Sequence, residues 1–193
     1  DSTGLFEMAK TIKEVYLDGV RVDFYKSLGH RGVIVMNSIA ISPNVTDTDT
    51  EKEGMDVPEV RPISNDNEAA KTAAALNKFE KETYEILKKH PANKYREIPA
   101  NFILLRGAST YRYLKSFKEN TGMKGACVAA SPVIKGIARA AEMDVYDVSG
   151  TTGDLKTDVK AKALKAMEVL SSHDFVILHI LGFDVAAHDK KPN

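Results

Sequence analysis

Asp184 and His188 are two residues whose types and spacing suggest chemistry. They stand four apart in Gly-Phe-Asp-Val-Ala-Ala-His-Asp (182–189), and at about 100° per residue that spacing returns both side chains to one face of a helical turn. A carboxylate and an imidazole so placed can ligate a divalent metal. The run Phe175 to Leu181 just before them is almost continuously apolar, the pattern of a strand buried on both faces of a parallel sheet. Gly182 breaks that run, and in open α/β sheets ligands bind beyond the carboxyl ends of the strands. The pair therefore stands where a catalytic ion is expected. The same two residues also fit a helix-capping Asp and an ordinary surface histidine, and the spacing alone does not separate these readings.

Two further residues suit the recognition of an anion. Arg106 closes the apolar run from Pro99 to Leu105, read as a strand, and is followed by Gly107; a guanidinium there can grip a phosphate or carboxylate by a two-pronged hydrogen bond. Lys135 lies just inside a helix that Pro132 opens, where the positive end of the helix adds to its attraction for an anion. Each is equally an ordinary solvated side chain until something else places it. His30 and Arg31, between two strands, either bind an anion or are simply exposed. His179 reads as a core histidine with one satisfied nitrogen, and His173 and His90 read as surface. Asp47 and Asp49 lack the glycine and distal glutamate of a calcium loop and read as a solvated loop. Walker, dinucleotide and nucleophile-elbow patterns are missing.

The elements that must position these groups fall into two parts. Phe6 to Tyr16 has the spacing of a short helix, and Asp18-Gly19 makes a turn. Val20 to Tyr25 alternates as a half-buried strand and Gly32 to Met36 is a second, giving a hairpin. Asn37 to Asn67 reads as loop. Asp66 or Asn67 then caps a long helix to about Lys89, which Pro91 ends. After that the chain alternates: strand 124–130, helix 133–143, strand 145–148, a helix from Asp154 or Thr157 to Leu170, and the strand at 174–181. This order implies a parallel α/β sheet with right-handed crossovers. The expected division is an α+β unit over 1–100 and an α/β unit over 101–193.

The totals exclude several classes. Lys plus Arg equals Asp plus Glu at 27 each, so no global basic field draws the chain to nucleic acid. No apolar run approaches the roughly 20 residues of a membrane span. Cys127, the one cysteine, excludes an internal disulfide and suits the cytosol; its apolar neighbours make it a buried core residue rather than a nucleophile. The opening Asp-Ser-Thr-Gly-Leu-Phe carries neither an initiating Met nor a signal pattern and reads as a cut into a longer chain.

Several blocks together carry a resemblance. Val-Asp-Phe-Tyr-Lys-Ser-Leu-Gly-His-Arg-Gly (22–32), Thr-Asp-Thr-Asp (46–49), Asn-Phe-Ile-Leu-Leu-Arg-Gly-Ala (101–108), Val-Ile-Lys-Gly-Ile-Ala-Arg (133–139) and Phe-Asp-Val-Ala-Ala-His-Asp (183–189) resemble the archaeal-type cofactor-independent phosphoglycerate mutases, of the alkaline phosphatase superfamily. The resemblance implies part of a parallel-sheet, phosphatase-like catalytic domain with an α+β insert over the substrate. It implies a cytoplasmic isomerase of glycolysis in which a serine takes the phosphoryl group from 3-phosphoglycerate and returns it as 2-phosphoglycerate. Two divalent ions, usually Mn2+ with Mg2+ or Zn2+ as alternatives, would polarise the phosphate and lower the serine's pKa. By this resemblance Asp184 and His188 are ligands of one metal, while Arg106 and Lys135 contact substrate. His30 and Arg31 match a block that would also face substrate.

The match departs from the family at two points. The family's Asp-Glu-Ala-Gly-His-Asp-Gly is here Asp184-Val-Ala-Ala-His-Asp-Lys190, and its Asp-Pro-His after Thr-Asp-Thr is Asp49-Thr50-Glu51. The nucleophilic serine and the remaining metal ligands are not among these residues, so the 193 residues alone are expected to be inactive, to bind manganese weakly, and either to associate with themselves or to keep a mobile C-terminal tail. The alternatives are a phosphopentomutase-like relative of the same superfamily and a non-catalytic module that binds phosphorylated acids. The expected partner is the small phosphoglycerate substrate, with no nucleic acid or membrane.

Overall fold

The alternation of Val20, Val22 and Phe24 does form a strand. In the computed structural model, which describes residues 4–188 apart from the side chains of Phe183, Val185 and His188, the first unit begins with helix α1 (Leu5–Thr11). Strands β1 (Glu14–Leu17), β2 (Val20–Lys26) and β3 (Gly32–Asn37) follow as an antiparallel sheet in the order β1-β2-β3. The expected helix over 6–16 is therefore half strand. Asp18 and Gly19 both take positive φ, 48° and 79°, the geometry that Asp-Gly favours in a two-residue hairpin loop. That turn pairs Leu17 with Val20 and converts a segment with helical spacing into the hairpin's first strand.

Helix α2 (Asn67–Leu87) covers this sheet. Asp66 caps it by accepting from the amide of Ala69 at 2.6 Å, which satisfies one of the helix's orphan donors. Ala75 and Phe79 on α2 are buried against Leu17, Val20 and Val22. The apolar run at 99–105 is not a strand. It is extended chain whose Ile103 and Leu105 enter the core of this first unit. The two units accordingly divide between Tyr111 and Arg112 rather than at residue 100.

Thr48, in the expected solvated loop, is completely buried. Its hydroxyl donates to Oε1 of Glu80 at 2.7 Å and accepts from the amide of Leu105 at 2.8 Å, while its own amide donates to the Leu105 carbonyl at 2.8 Å. Glu80 is 5% exposed, and burial pushes its pKa above the ordinary 4.5 despite the opposing bond from Thr48. A carboxyl raised in the fold binds its proton more tightly there than in the unfolded chain. Its contribution to stability is then fully present below pH 4.5 and is lost as pH rises through the folded value. Glu80→Gln, which keeps an acceptor for Thr48, is expected to flatten that slope and to raise the melting temperature at pH 7. Denaturant titrations from pH 4 to 8 check it; an unchanged slope would show that Glu80 is not its source.

The second unit follows the expected alternation. Its elements are α3 (Phe117–Thr121), β4 (Gly125–Val128), α4 (Pro132–Ala140), β5 (Asp144–Tyr146), α5 (Val159–Leu170), β6 (Phe175–Leu178) and α6 (Gly182–His188). The strands are parallel in the order β5-β4-β6. The central position makes β4 the strand buried along its whole length, whereas β6, which among the described residues pairs with β4 alone, has Phe175 and Leu178 exposed. The expectation that 175–181 is buried on both faces fails for that reason. Cys127 and Ala129 pack with Ala138 and Met143, as expected for a core cysteine, and burial pushes its thiol pKa up. Asp158, not Asp154 or Thr157, caps α5 by accepting from the amide of Ala161 at 2.8 Å. No helix among the described residues is long and apolar enough to cross a membrane.

Candidate functional site

The strand order β5-β4-β6 places the first strand of the unit in the middle, with chain leaving it to one side and returning on the other. Such an order has a switch point between β4 and β6, and ligands bind in the crevice beyond the carboxyl ends of the strands there. Three sequence segments leave that edge. After β4 comes Ser131 and the first turn of α4, which carries Lys135; after β5 comes Asp147; after β6 comes α6, with Asp184 in its first turn. Lys135 Nζ forms a close ion pair with Asp147 and its side chain is mostly buried. The amide of Lys135 donates to the Ser131 carbonyl at 3.1 Å, so the ammonium rises from the helix's first turn. Asp184 is exposed, and its amide donates to the Leu181 carbonyl at 3.0 Å.

Arg106 belongs to the first unit and is 63% exposed. One of its terminal nitrogens lies 3.0 Å from Glu51 and 3.4 Å from Asp49. The adjoining amide of Gly107, a residue with φ of 68°, donates to Asp47 at 3.0 Å. The segments 46–51 and 105–107, separated by more than fifty residues of chain, thus form one cluster. Its acids hold the guanidinium in place, and an incoming anion would have to displace them. His30 and Arg31 are exposed on the β2–β3 turn, which is closed by backbone bonds between Ser27 and Arg31 at 2.9 Å and between Arg31 and Leu28 at 3.1 Å. They stand on a feature separate from the Arg106 cluster.

The comparisons with known proteins agree with one another. The family model described as 2,3-bisphosphoglycerate-independent phosphoglycerate mutase matches residues 3–93. The chain is 41% identical over 187 residues to such a mutase from Methanocaldococcus jannaschii, covering 95% of this chain and 46% of that protein. It is 42% identical over 190 residues to one from Ignicoccus hospitalis, with the same shares. The solved cofactor-independent phosphoglycerate mutase from Thermoplasma acidophilum superposes with a TM-score of 0.68 at 33% identity, covering 93% of this chain and 49% of that one. Along nearly its whole length the chain is similar, in sequence and in fold, to 2,3-bisphosphoglycerate-independent phosphoglycerate mutases. It spans about half the length of the curated relatives it matches.

Asp184 and His188 are the residues expected from the sequence to ligate a divalent metal. Both occupy α6, four residues apart, but the side chain of His188 lies outside the described residues. Among the described residues no three His, Cys, Asp or Glu side chains are grouped so that they could hold a metal ion. A tight divalent site needs about four or more ligands. The described residues therefore fit one side of such a site, through the exposed carboxylate of Asp184, and do not enclose an ion by themselves.

Several residues, near these sites and away from them, escape a reading of the sequence. Asp147 could have been found from its place directly after a strand, in Val-Tyr-Asp-Val. His173, expected at the surface, is buried: its Nε2 lies 2.8 Å from Asp144, its Nδ1 lies 3.0 Å from the Val169 carbonyl, and Tyr146 meets it edge-on. That bond, with Lys124 nearby, holds the Asp144 carboxyl below its ordinary range. His90 is partly buried and its Nδ1 accepts from the amide of Ala92 at 3.1 Å, capping the 3-10 turn Pro91–Tyr95. Nδ1 of His179 is buried without a hydrogen-bond partner among the described residues.

Proposed function

We propose that this chain supplies the substrate-gripping groups and one side of the metal site of a phosphoglycerate mutase. The first unit would be the substrate-covering insert and the second a part of the catalytic domain. The observation that carries the reading is the gathering of Lys135, Asp147 and Asp184 at the carboxyl edge of one parallel sheet, in a chain about 40% identical over 95% of its length to named mutases. The reaction would move a phosphoryl group between the two hydroxyls of phosphoglycerate through a phosphoserine outside these residues. Manganese is the ion we assign to Asp184 and His188, where it would polarise the phosphoryl oxygens. The enzyme would be cytoplasmic, with small phosphoglycerates as its partners.

The chain's own groups have a simple task in this scheme. Arg106 and Lys135 are cations already held by carboxylates. A doubly charged phosphate carries more negative charge than either carboxylate, so it can exchange with them without leaving a cation unpaired. His30 and Arg31, exposed on the β2–β3 turn, would be further contacts to the substrate.

In the full-length enzyme carrying these residues, conversion of 3-phosphoglycerate to 2-phosphoglycerate is measured by coupling to enolase. Arg106→Ala is expected to raise the Michaelis constant and lower turnover. Charge-assisted hydrogen bonds are worth roughly 1.5–3 kcal/mol, so efficiency should fall about tenfold to a hundredfold. Unchanged kinetics would make Arg106 a surface residue, and absence of the conversion in the unaltered enzyme would overturn the function itself.

A further inference from the structure

Lys162 is 1% exposed. It lies in the first turn of α5, where a lysine would ordinarily extend into water. Taking an ammonium out of water is costly unless its hydrogens find acceptors. Here Nζ donates to two backbone carbonyls, Thr152 at 3.2 Å and His179 at 3.4 Å. The first belongs to the loop between β5 and α5, the second to the residue just after β6. Burial lowers the lysine's pKa because desolvation disfavours the ammonium, the cost that the two carbonyls offset.

Other contacts tie the same loop to the same place. The amide of Thr152 donates to the buried Thr157 hydroxyl at 3.1 Å. Asp154 accepts from the Thr152 hydroxyl at 2.7 Å and from the amide of Lys156 at 2.8 Å. The loop then lies against the start of α6: a Cβ at Gly182 would stand 3.6 Å from the Asp154 carbonyl oxygen and 3.8 Å from Leu155 Cα. On the other side, the amide of His179 continues the ladder to Val128 at 3.0 Å. The stretch from His179 to Gly182 is thus flanked by β4, the loop and Lys162.

We propose that Lys162 is a positioning residue: it fastens the loop at 148–158 to the carboxyl end of β6 and so sets the start of α6, which carries Asp184 to the sheet's edge. The consequence for the metal rests on the reading of Asp184 as a ligand. The fastening rests on the geometry alone. A lysine that served only to fill space could be exchanged for methionine with no effect beyond stability, because a buried charge gives little net stabilisation over an apolar side chain of similar volume.

The test uses Lys162→Met and Thr157→Val in the full-length enzyme, with Asp184→Asn in parallel. Thr157→Val loosens the loop's other anchor without touching the lysine, so it carries the test if the methionine variant does not fold. Manganese affinity is read by calorimetric titration, and amide hydrogen exchange is followed in the metal-free protein. Both loop variants should bind manganese about tenfold more weakly, the loss typical when a group that orients a ligand is removed. Exchange should quicken at 149–157 and 180–184 and stay unchanged in β4. The Michaelis constant for 3-phosphoglycerate should hold while turnover falls. If Asp184→Asn weakens manganese binding but the loop variants bind and exchange as the unaltered enzyme does, the role of Lys162 is overturned. If Asp184→Asn binds manganese normally, the metal reading fails instead. Exchange at 180–184 then decides the fastening by itself: faster supports it and unchanged refutes it.

Discussion

Asp184→Asn in the full-length enzyme is expected to cut turnover about a hundredfold or more at saturating manganese while leaving the fold intact. Removing groups that merely orient a metal ligand already costs about 10- to 100-fold, and the amide removes the ligand's charge itself. The fold should survive because Asp184 is exposed in the first turn of α6. Its negative charge there favours the helix by only about 0.3–1 kcal/mol. The enolase-coupled assay across manganese concentrations, together with thermal melting, separates the two effects. Turnover equal to that of the unaltered enzyme at saturating manganese would remove Asp184 from the metal site.

Thr48→Val should markedly destabilise the first unit. Valine keeps the shape of threonine but loses the hydroxyl that donates to Glu80 at 2.7 Å and accepts from the amide of Leu105 at 2.8 Å. Both orphaned groups sit away from water, and a buried group left unsatisfied costs about 1–3 kcal/mol, more for a charged one. A total of about 3 kcal/mol corresponds to a fall in melting temperature of about 10 °C. The effect should also reach the Arg106 cluster, because Leu105 directly precedes Arg106 and its carbonyl accepts from the amides of Thr48 and Asp49 at 2.8 and 3.2 Å. The Michaelis constant for 3-phosphoglycerate is expected to rise with the loss of stability. A melting curve within about 1 °C of the unaltered protein would show that water replaces the hydroxyl at both partners.

The elements whose signals are local were legible in the sequence. Alternation gave the β2–β3 hairpin, Asp66 and the apolar stripe gave α2, and Pro132 gave the start of α4, because each signal acts within a few residues. One local signal was present but passed over: Ser116 and Glu119 form a reciprocal capping box at 3.1 and 2.7 Å that starts α3. The position of Asp184 beyond a strand's carboxyl end was equally readable, since a glycine and a change of period mark it. Which strand would be central was not. An apolar run looks the same in β4 and β6, and only the pairing of β4 with both neighbours buries the one, while the other pairs with β4 alone among the described residues. The residues at 99–105 look like a strand for the same reason, yet their backbone meets Thr48 rather than a ladder. The burial of Lys162 and His173 was hidden most completely: their types predict solvent, and the distant acceptors that permit burial, the carbonyls of Thr152 and His179 and the carboxylate of Asp144, are brought to them only by the packing of α5 on the sheet. Local periodicity and capping act through the nearest turns of chain, whereas burial of a polar group depends on partners that only the assembled fold supplies.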